Sequence, residues 1–479
     1  MKSYTAEDIL SLPFDHFTFV DLRTEEEYQL ATIPGAIWIP FEQIGQKLEQ
    51  IPNSRTVCVF CAVGDISATA AELLCDFGYD AVNLEGGFSA YQNARNQKLV
   101  YLDYAANTPT DPLVLECYQN AVQMYSGNPN SAHFFGRTAK QAITEATRKI
   151  AAMLEIHPDE IIYTSGASES NNTAIHGFAY SKRRQGKHII STCLEHSSVS
   201  GTLTFLQEQG YEIDLVSIQE DGTVDLEELK QLLREDTILV TICAVDSELG
   251  VIQPIEKIAE ILKEYPNCAF HVDATQAIGK IPFFFQFADT ISFAPHKFYG
   301  LGSCGVLYKK SGVVLEPLIH GGASTTLYRS GTPDPAMILS AEKAIELAVQ
   351  QYTNRYQQVK KWNDQIRTAL LSYPLVRINS PKNASPYILN ISVKGIKARL
   401  FQQILDWRGI AISTKSACSV PNTPSRAVYA ITHDRKNALC SWRISLSHFT
   451  TQADIEYFLN TFDECYQEYK KSEKCEVLY

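Results

Sequence analysis

The chain has 479 residues, of which 45% are hydrophobic and 20% charged, a balance typical of a globular protein with two or three domains. Its formal net charge of −12 argues against a broad nucleic-acid-binding face. The first residues, MKSYTAEDILSLPF, lack a basic segment followed by an apolar one, and no apolar run reaches membrane-spanning length. We therefore expect a cytoplasmic protein whose twelve cysteines are thiols rather than a disulfide framework.

Short strands and helices alternate over residues 1–91. The segments FTFVDLR, TVCVFC and AVNLEG are predicted strands, whereas TEEEYQLA and SATAAELLCDFG are typical of helices. Such alternation predicts a parallel sheet with helices on both faces. The polar, aperiodic run Gln92–Lys98 then predicts a linker that ends this domain.

A second and larger region of alternating strands and helices begins at Leu99. Its predicted strands are EIIYTSG, KHIIST, ILVTICAV, CAFHVDA and TISFA. From about residue 355 the helical segment NRYQQVKKWNDQIRTALLSY precedes further strands and helices, which indicates a smaller α+β subdomain. The sequence therefore predicts an α/β protein with one domain at 1–95 and a second at 99–479.

The spacing of Cys58 and Cys61 is that of a redox or zinc half-site. Cys58 lies inside the predicted strand TVCVF, however, and residues three apart on a strand point to opposite faces. The chain has no second C-x-x-C, so we expect no metal site. Other cysteines lie in apolar periodic segments and are predicted to be core thiols: Cys75, Cys193, Cys243 and Cys268.

Polar side chains follow two predicted strands, at the edge where parallel sheets place their functional sites. Asp273 and Gln276 come after FHVDA, and His296 and Lys297 come after ISFA. A lysine and an aspartate that converge at such an edge suit pyridoxal phosphate, since the lysine forms a Schiff base and the aspartate keeps the pyridine nitrogen protonated.

Two further segments strengthen this prediction. In YTSGASESNN, a strand, a turn of small residues and a helix start would present the backbone N–H groups of Gly166, Ala167 and Ser168 to a phosphate. In STCLEHSSV, His196 follows another strand, where its ring could stack on the cofactor. We therefore predict a pyridoxal-phosphate site at the carboxyl edge of the second sheet.

The segments YLDYAANTP, GNPNSAH, TSGASESNN, EH, HVDATQ, HK, RSGT, SAC and RISL, in this order, resemble those of the cysteine desulfurases, which are pyridoxal-phosphate enzymes of the class V aminotransferase family. The resemblance covers roughly residues 99–460. It implies a fold-type I enzyme with a large domain at about 113–354 and a small subdomain at about 99–112 and 355–479. It also implies L-cysteine as the substrate and a homodimer as the assembly.

The same resemblance implies roles for the site residues. Lys297 would hold the cofactor and move the substrate α-proton, while Asp273 and Gln276 would contact the pyridine nitrogen and the ring oxygen. His196 would stack on the ring and assist proton transfer, and Arg443 of WRISL would bind the substrate carboxylate with its bidentate fork. The remaining cofactor contacts are implied for Ala167, Ser168, His296, Ser247 and Thr332, the last reaching the phosphate of the other subunit.

Cys418 lies in the polar loop STKSACSVPNTPS, an unusual place for a free cysteine, since these are usually buried. By the resemblance, its thiolate attacks the sulfur of the bound substrate and alanine leaves. Cys418 then holds a persulfide, which a mobile loop can carry to an acceptor protein.

Three positions depart from the family pattern. Ser247 stands where asparagine is usual, Ala294 stands where a phosphate-binding serine is usual, and GGASTTLYRSGT lacks the usual glycines and charged residues. The first two changes each alter one hydrogen bond, worth about 0.5–3 kcal/mol. The third affects the predicted loop geometry, while the residues implied for the reaction itself all remain.

The first domain resembles the single-domain rhodaneses, which transfer sulfur through a cysteine persulfide. The matching segments are FVDLRTEEEYQLATIPGAIWIP, Cys61 with its loop, and NLEGGFSAYQ. The resemblance implies a loop whose N–H groups point at the Cys61 sulfur, with Gly64 permitting the curl. Ile66 replaces an arginine that many rhodaneses have, and Asp65 adds negative charge, so we predict a protein-borne sulfur donor rather than thiosulfate.

The leading hypothesis is a fusion enzyme in which Cys61 receives the persulfide sulfur of Cys418 for iron–sulfur cluster, thio-cofactor or tRNA synthesis. The first alternative is a selenocysteine lyase or another class V pyridoxal-phosphate lyase. The second alternative is a non-catalytic sulfur-carrier scaffold.

Overall fold

The computed structural model describes residues 2–12, 16–96, 99–415 and 423–472. Its strands are β1 (Lys2–Tyr4), β2 (Phe17–Asp21), β3 (Ile37–Trp38), β4 (Thr56–Phe60), β5 (Ala81–Leu84), β6 (Val100–Tyr101), β7 (Ile161–Thr164), β8 (His188–Ser191), β9 (Glu212–Leu215), β10 (Thr237–Cys243), β11 (Ala269–Asp273), β12 (Thr290–Phe293), β13 (Gly305–Lys309), β14 (Val376–Ile378), β15 (Ile388–Val393), β16 (Ile410–Ala411) and β17 (Ser441–Ser445).

Its helices are α1 (Ala6–Ser11), α2 (Glu25–Leu30), α3 (Asp65–Asp76), α4 (Gly87–Asn96), α5 (Pro112–Met124), α6 (Phe134–Leu154), α7 (Ala167–Ser181), α8 (Ser197–Glu208), α9 (Leu226–Leu232), α10 (Ile255–Leu262), α11 (Pro335–Leu370), α12 (Ala398–Trp407), α13 (Arg426–Thr432), α14 (Arg435–Leu439) and α15 (Gln452–Ser472). Within the described part of the chain, none of these is long and apolar enough to cross a membrane.

The chain divides into two compact units. The first comprises Met1–Leu102, Gly395–Ile412 and Thr451–Tyr479, and the second comprises Asp103–Lys394 and Ser413–Thr450. The predicted domain bounds, 1–95 and 99–479, stay a prediction.

The first unit is built on a five-stranded sheet in the order β1-β5-β4-β2-β3, and every pairing in it is parallel. This confirms the parallel α/β sheet predicted from the alternating segments. Helix α4 continues to Asn96, so most of the predicted linker Gln92–Lys98 is helical instead. The prediction failed there because Tyr91 and Ala94 supply enough buried contact to continue a helix of polar composition.

Two hydrophobic clusters belong to this first unit, and alternate residues of its strands divide between them. Phe19, Cys58 and Phe60 lie in one cluster, whereas Val59 and Cys61 lie in the other. The period-2 geometry of strands produces this division. The two thiols of the C-x-x-C therefore do not share a cluster.

Trp407, at the end of α12, fills the first of these clusters. The residue is fully buried, and its ring centroid lies 5.0 Å from that of Phe19 and 5.2 Å from that of Tyr91. The neighbouring Asp406 accepts a hydrogen bond from Arg95 at 2.6 Å. A helix from far downstream in the chain thus completes the core around the first sheet.

The second unit contains a seven-stranded sheet in the order β7-β13-β12-β11-β10-β8-β9. All pairings are parallel except those of β13, which is antiparallel to both neighbours. The register pairs Cys243 with Asp273 and Asp273 with Ser292, so β10, β11 and β12 end at one edge. That edge is where the sequence predicts the site.

Helix α11 and a small sheet complete the second unit. The helix runs for 36 residues, capped by the Asp334 side chain, and is continuous across the predicted subdomain boundary near residue 355. The small sheet is antiparallel, in the order β14-β15-β17, and pairs Asn390 with Arg443. Arg443 is therefore fixed by strand pairing within a sheet rather than by a loop.

Candidate active site

Lys297 ends a single helical turn that follows β12 directly. Its Nζ donates hydrogen bonds to the carbonyl oxygens of Ala105 at 3.0 Å and Ala106 at 2.6 Å. Thr108 binds the same turn, since its hydroxyl donates to the His296 carbonyl at 2.8 Å. The segment 105–108 therefore holds the lysine turn and orients its amine.

Asp273 is the last residue of β11 and is only 6% exposed. Its Oδ2 accepts from the Asn171 side chain at 2.8 Å, and its Oδ1 accepts from the Thr275 N–H at 2.9 Å. The Asn171 oxygen in turn lies 3.1 Å from Nε2 of His271 and accepts from the Ser292 hydroxyl. These contacts fix the carboxylate in one orientation.

Asn171 was not predicted individually as a site residue. It lies in α7, on a turn whose neighbours Ala174, Ile175 and Phe178 are buried core residues. A polar amide on the buried face of a helix needs polar partners. That mismatch was the available signal, but its partners lie about a hundred residues away and could not be identified from the sequence.

Gln276 joins Lys297 at a common acceptor. Its Nε2 donates to the Ala105 carbonyl at 2.9 Å, the same oxygen that accepts from the Lys297 amine. The structure therefore brings together these two predicted residues, although they come from turns after different strands.

His196 and His296 are both neutral near pH 7. Burial lowers the pKa of His196, the charge of Lys297 lowers it further, and the carboxylate of Asp273 opposes the shift. Nδ1 of His196 accepts from the Ser198 N–H at 3.1 Å, which leaves the ring proton on Nε2. Burial, followed by Lys297 and Lys280, lowers the pKa of His296 to about 4.

The N-terminus of α7 offers donors for an anion. The N–H groups of Ala167 and Ser168 open this helix, and no hydrogen bond joins them to the described residues. A side chain added at Gly166 would meet nothing within 4 Å, so the space before the helix is open. The carboxylate of Glu169, in the first turn of the same helix, is bound by Arg329 in an ion pair at 2.8 Å.

Arg443 is almost fully buried, with 1% of its surface exposed. It forms an ion pair with Asp103 at 2.7 Å and donates to the Ser247 carbonyl at 2.8 Å. Its Nε has no hydrogen-bond partner among the described residues. Because Ser247 contributes its backbone here, the departure from asparagine leaves this contact unchanged.

The other predicted residues lie in different settings. Thr332 is exposed in the segment before α11, and Ala294 is buried at the start of the Lys297 turn, where it offers only its backbone. Cys418 lies outside the described residues. On either side of that segment, the Lys415 amine donates to the Thr423 carbonyl at 2.6 Å and to its hydroxyl at 2.7 Å.

In the first unit, Cys61 follows β4 and its sulfur is surrounded by polar groups. Sγ accepts from the Gly64 N–H at 3.1 Å and from the Ser67 hydroxyl at 3.4 Å, and the thiol donates to Asp65 Oδ1 at 3.2 Å. The Ile66 N–H, and then this thiol, lower the pKa of the Asp65 carboxyl. The curled loop thus presents donors together with one carboxylate to the sulfur.

Gly64 is required at its position in this loop. Its φ is +92°, and a Cβ there would lie 2.7 Å from the Gly86 nitrogen.

The four cysteines predicted to be core thiols differ in burial: Cys243 and Cys268 are buried, Cys193 is half-buried, and Cys75 is exposed. Cys75 was predicted wrongly because it lies on the outer side of α3, whose buried residues are Ser67, Ala70, Ala71 and Leu74.

Family comparisons agree with both resemblances. The aminotransferase class-V model matches residues 100–458, and the rhodanese-like domain model matches residues 5–94. The cysteine desulfurase IscS of Dictyoglomus turgidum is 39% identical over 369 residues, covering 76% of this chain and 93% of that protein. The NifS/IcsS protein homolog of Lactobacillus delbrueckii subsp. bulgaricus is 37% identical over 379 residues, covering 78% of this chain and 98% of that protein.

Among solved structures, a NifS-like protein superposes with a TM-score of 0.73 at 35% identity, covering 77% of this chain and 100% of its own. A NifS-like protein from Rickettsia africae superposes with a TM-score of 0.69 at 30% identity, covering 77% of this chain and 99% of its own. The chain therefore belongs to the aminotransferase class-V family and carries a rhodanese-like domain. Within that family it is a pyridoxal-phosphate-dependent cysteine desulfurase.

The donor set of the second unit fits pyridoxal phosphate. The open N–H groups at the start of α7 suit its phosphate, and the oriented Asp273 carboxylate suits its pyridine nitrogen. The Lys297 amine, which lies beside the amide of Gln276, suits attachment of the cofactor.

Proposed function

We propose that this chain converts L-cysteine to L-alanine and retains the sulfur as a persulfide on Cys418. The observation that carries the proposal is the convergence of Lys297 and Gln276 on the Ala105 carbonyl, with Asp273 and the neutral His196 close enough to influence each other's charge. The roles of these residues follow the family pattern at matching positions.

When bound, pyridoxal phosphate supplies an electron sink that makes the substrate α-proton acidic and weakens its C–S bond. The Lys297 amine accepts the α-proton and returns it during formation of alanine. Asp273 would keep the pyridine nitrogen protonated, and His196 would stack on the ring and assist proton transfer. The guanidinium of Arg443 would bind the substrate carboxylate.

The sulfur step balances without an added oxidant. The C–S bond of L-cysteine breaks, and an S–S bond forms at Cys418. The β-carbon keeps the electron pair of the C–S bond and takes up one proton, which balances the proton lost by the Cys418 thiol. The products are one alanine and one persulfide for each cysteine consumed. Single-turnover incubation without reductant tests this: we expect equal amounts of alanine and protein-bound persulfide, whereas pyruvate, ammonia and free sulfide in place of alanine would indicate a β-elimination lyase.

We further propose that Cys61 accepts this sulfur. The Cys61 thiolate would attack the outer sulfur of the Cys418 persulfide, forming a new S–S bond and releasing the Cys418 thiolate. Two sulfur-handling domains in one chain support the relay, because tethering raises the effective concentration of the acceptor. The proposal also includes a homodimer, in which Thr332 contacts the phosphate bound to the other subunit. It further includes a cytoplasmic location.

Replacing Cys61 by serine should leave alanine formation unchanged and lower sulfur delivery to a protein acceptor several-fold, since only the relay thiol is lost. Delivery is measured as labelled sulfur on the acceptor in the absence of reductant. Cys75→Ser is the matched control, because Cys75 is an exposed thiol of the same domain. Unchanged delivery by Cys61→Ser to every acceptor would rule out the relay.

Replacing Asp65 by asparagine should speed thiosulfate:cyanide sulfur transfer by roughly tenfold, the effect of removing about 1 kcal/mol or more of repulsion between the carboxylate and a nearby dianion. The carboxylate lies 3.2 Å from the Cys61 sulfur, where it opposes small anionic donors. Asp76→Asn at the other end of α3 is the control. Equal rates for both variants and the parent protein would show that Asp65 does not select the donor.

A further inference from the structure

Lys280 is a buried lysine that has no role in the proposed reaction. It is 4% exposed and lies in the turns after β11, where its N–H donates to the Ala277 carbonyl at 3.0 Å. Its Nζ donates to Oε1 of Gln276 at 2.7 Å. The two residues lie in the same series of turns, in which Gly279 has a φ of +76°.

The two partners of the Gln276 amide leave it one orientation. The Ala105 carbonyl, which can only accept, lies 2.9 Å from Nε2, and the Lys280 ammonium, which can only donate, lies 2.7 Å from Oε1. If the amide were flipped, its NH2 group would face the N–H groups of Lys280, and its oxygen would face the carbonyl oxygen of Ala105. Lys280 and the Ala105 carbonyl therefore together determine which end of the amide faces the site.

The second N–H of Gln276 is directed by the same contacts. The Ala105 oxygen already accepts from both Gln276 and Lys297, which uses its two lone pairs. Among the described residues, no acceptor binds the remaining Gln276 N–H. A hydrogen-bond donor is thus held ready beside the Lys297 amine.

We propose that Lys280 is a positioning residue that keeps the Gln276 amide facing the cofactor ring as a hydrogen-bond donor. The inference rests on the proposed role of Gln276 as the partner of the ring oxygen. Without Lys280 only the Ala105 carbonyl holds the amide, so its orientation is less firmly fixed and the donor to the ring oxygen is weakened. Burial, followed by the charges of Lys297 and Arg443, lowers the pKa of Lys280 to about 7, and below that pH the side chain is an ammonium that can only donate.

The test is the pH titration of the visible absorbance of the bound cofactor, which reports its Schiff-base nitrogen rather than turnover. A donor on the ring oxygen stabilises its anionic form and makes that nitrogen less basic. We expect the midpoint to rise by about one pH unit in Lys280→Met and in Gln276→Ala, the size of one lost hydrogen bond to a charged group. The double variant should shift no further than Gln276→Ala alone.

Lys309→Met is the matched control, because Lys309 is 6% exposed and, among the residues that the structure describes, its amine donates only to the backbone carbonyls of Lys310 and Val313 at 3.2 and 3.0 Å. It should keep the parent midpoint. Lys280→Gln separates hydrogen bonding from charge and remains informative if Lys280→Met does not fold: its amide can donate to Oε1, so the parent midpoint should be kept.

Three results would overturn the proposal: a parent midpoint in Lys280→Met, the full shift repeated in the Gln276→Ala background, or a Lys280→Gln midpoint as high as that of Gln276→Ala. Failure of the proposed function looks different. In that case the parent protein, reconstituted with pyridoxal phosphate, would show no cofactor absorbance to titrate.

Discussion

Replacing Lys297 by alanine is expected to slow alanine formation from L-cysteine by roughly 10²–10⁴-fold, the range for removing a positioned acid–base group. The Lys297 amine is oriented by two backbone carbonyls, at 3.0 and 2.6 Å, and no described side chain in the same turn can take its place as the proton carrier. His296, the neighbouring residue, is neutral and has its pKa lowered to about 4 by burial, so it is a weak base. Alanine is measured directly by chromatography.

Lys257→Ala is the control for this result, because Lys257 is an exposed lysine on α10 of the same unit. It should retain the parent rate. Alanine formation by Lys297→Ala at the rate of Lys257→Ala would contradict the assignment of the proton-transfer role.

Replacing Trp407 by alanine is expected to destabilise the first unit by about 3–5 kcal/mol, the cost of emptying a fully buried tryptophan site. The indole packs between Phe19 and Tyr91, and the backbone of the sheet cannot close the hole that its loss would leave. Because a chain of two units does not unfold in one step, the measurement is amide hydrogen exchange of β2 and β4. Exchange there should become faster by the factor that corresponds to this free energy.

Leu400→Ala tests whether the effect belongs to the buried site. Leu400 lies on the same helix but is 42% exposed, so its removal should leave exchange in β2 and β4 nearly unchanged. Equal exchange in the two variants would show that the first sheet does not depend on α12 for its core.

The local sequence pattern was sufficient to predict the site residues that lie at the ends of the parallel strands. Asp273 and Lys297 could be predicted together because Asp273 ends β11, Lys297 lies in the turn directly after β12, and parallel strands end at one edge. The loop of Cys61 could be predicted for a similar reason, since Gly64 follows a buried strand and precedes a helix.

The sequence did not identify contacts between distant segments. Asn171 binds Asp273 from 102 positions away, and Asp103 binds Arg443 from 340 positions away. The packing of Trp407 in the core of the first unit is likewise visible only in the folded chain. Hydrogen-bond partners and packing neighbours at such separations depend on the tertiary fold, which a local pattern does not encode.

The most direct test of the account follows labelled sulfur from L-cysteine onto individual cysteines. The protein is mixed with sulfur-labelled L-cysteine, trapped with an alkylating reagent at increasing times, and analysed by peptide mass spectrometry. We predict label on Cys418 first and on Cys61 afterwards, with none on Cys61 in Cys418→Ser. Label that stays on Cys418 while Cys61 remains a free thiol, or label on Cys61 in Cys418→Ser, would contradict the relay.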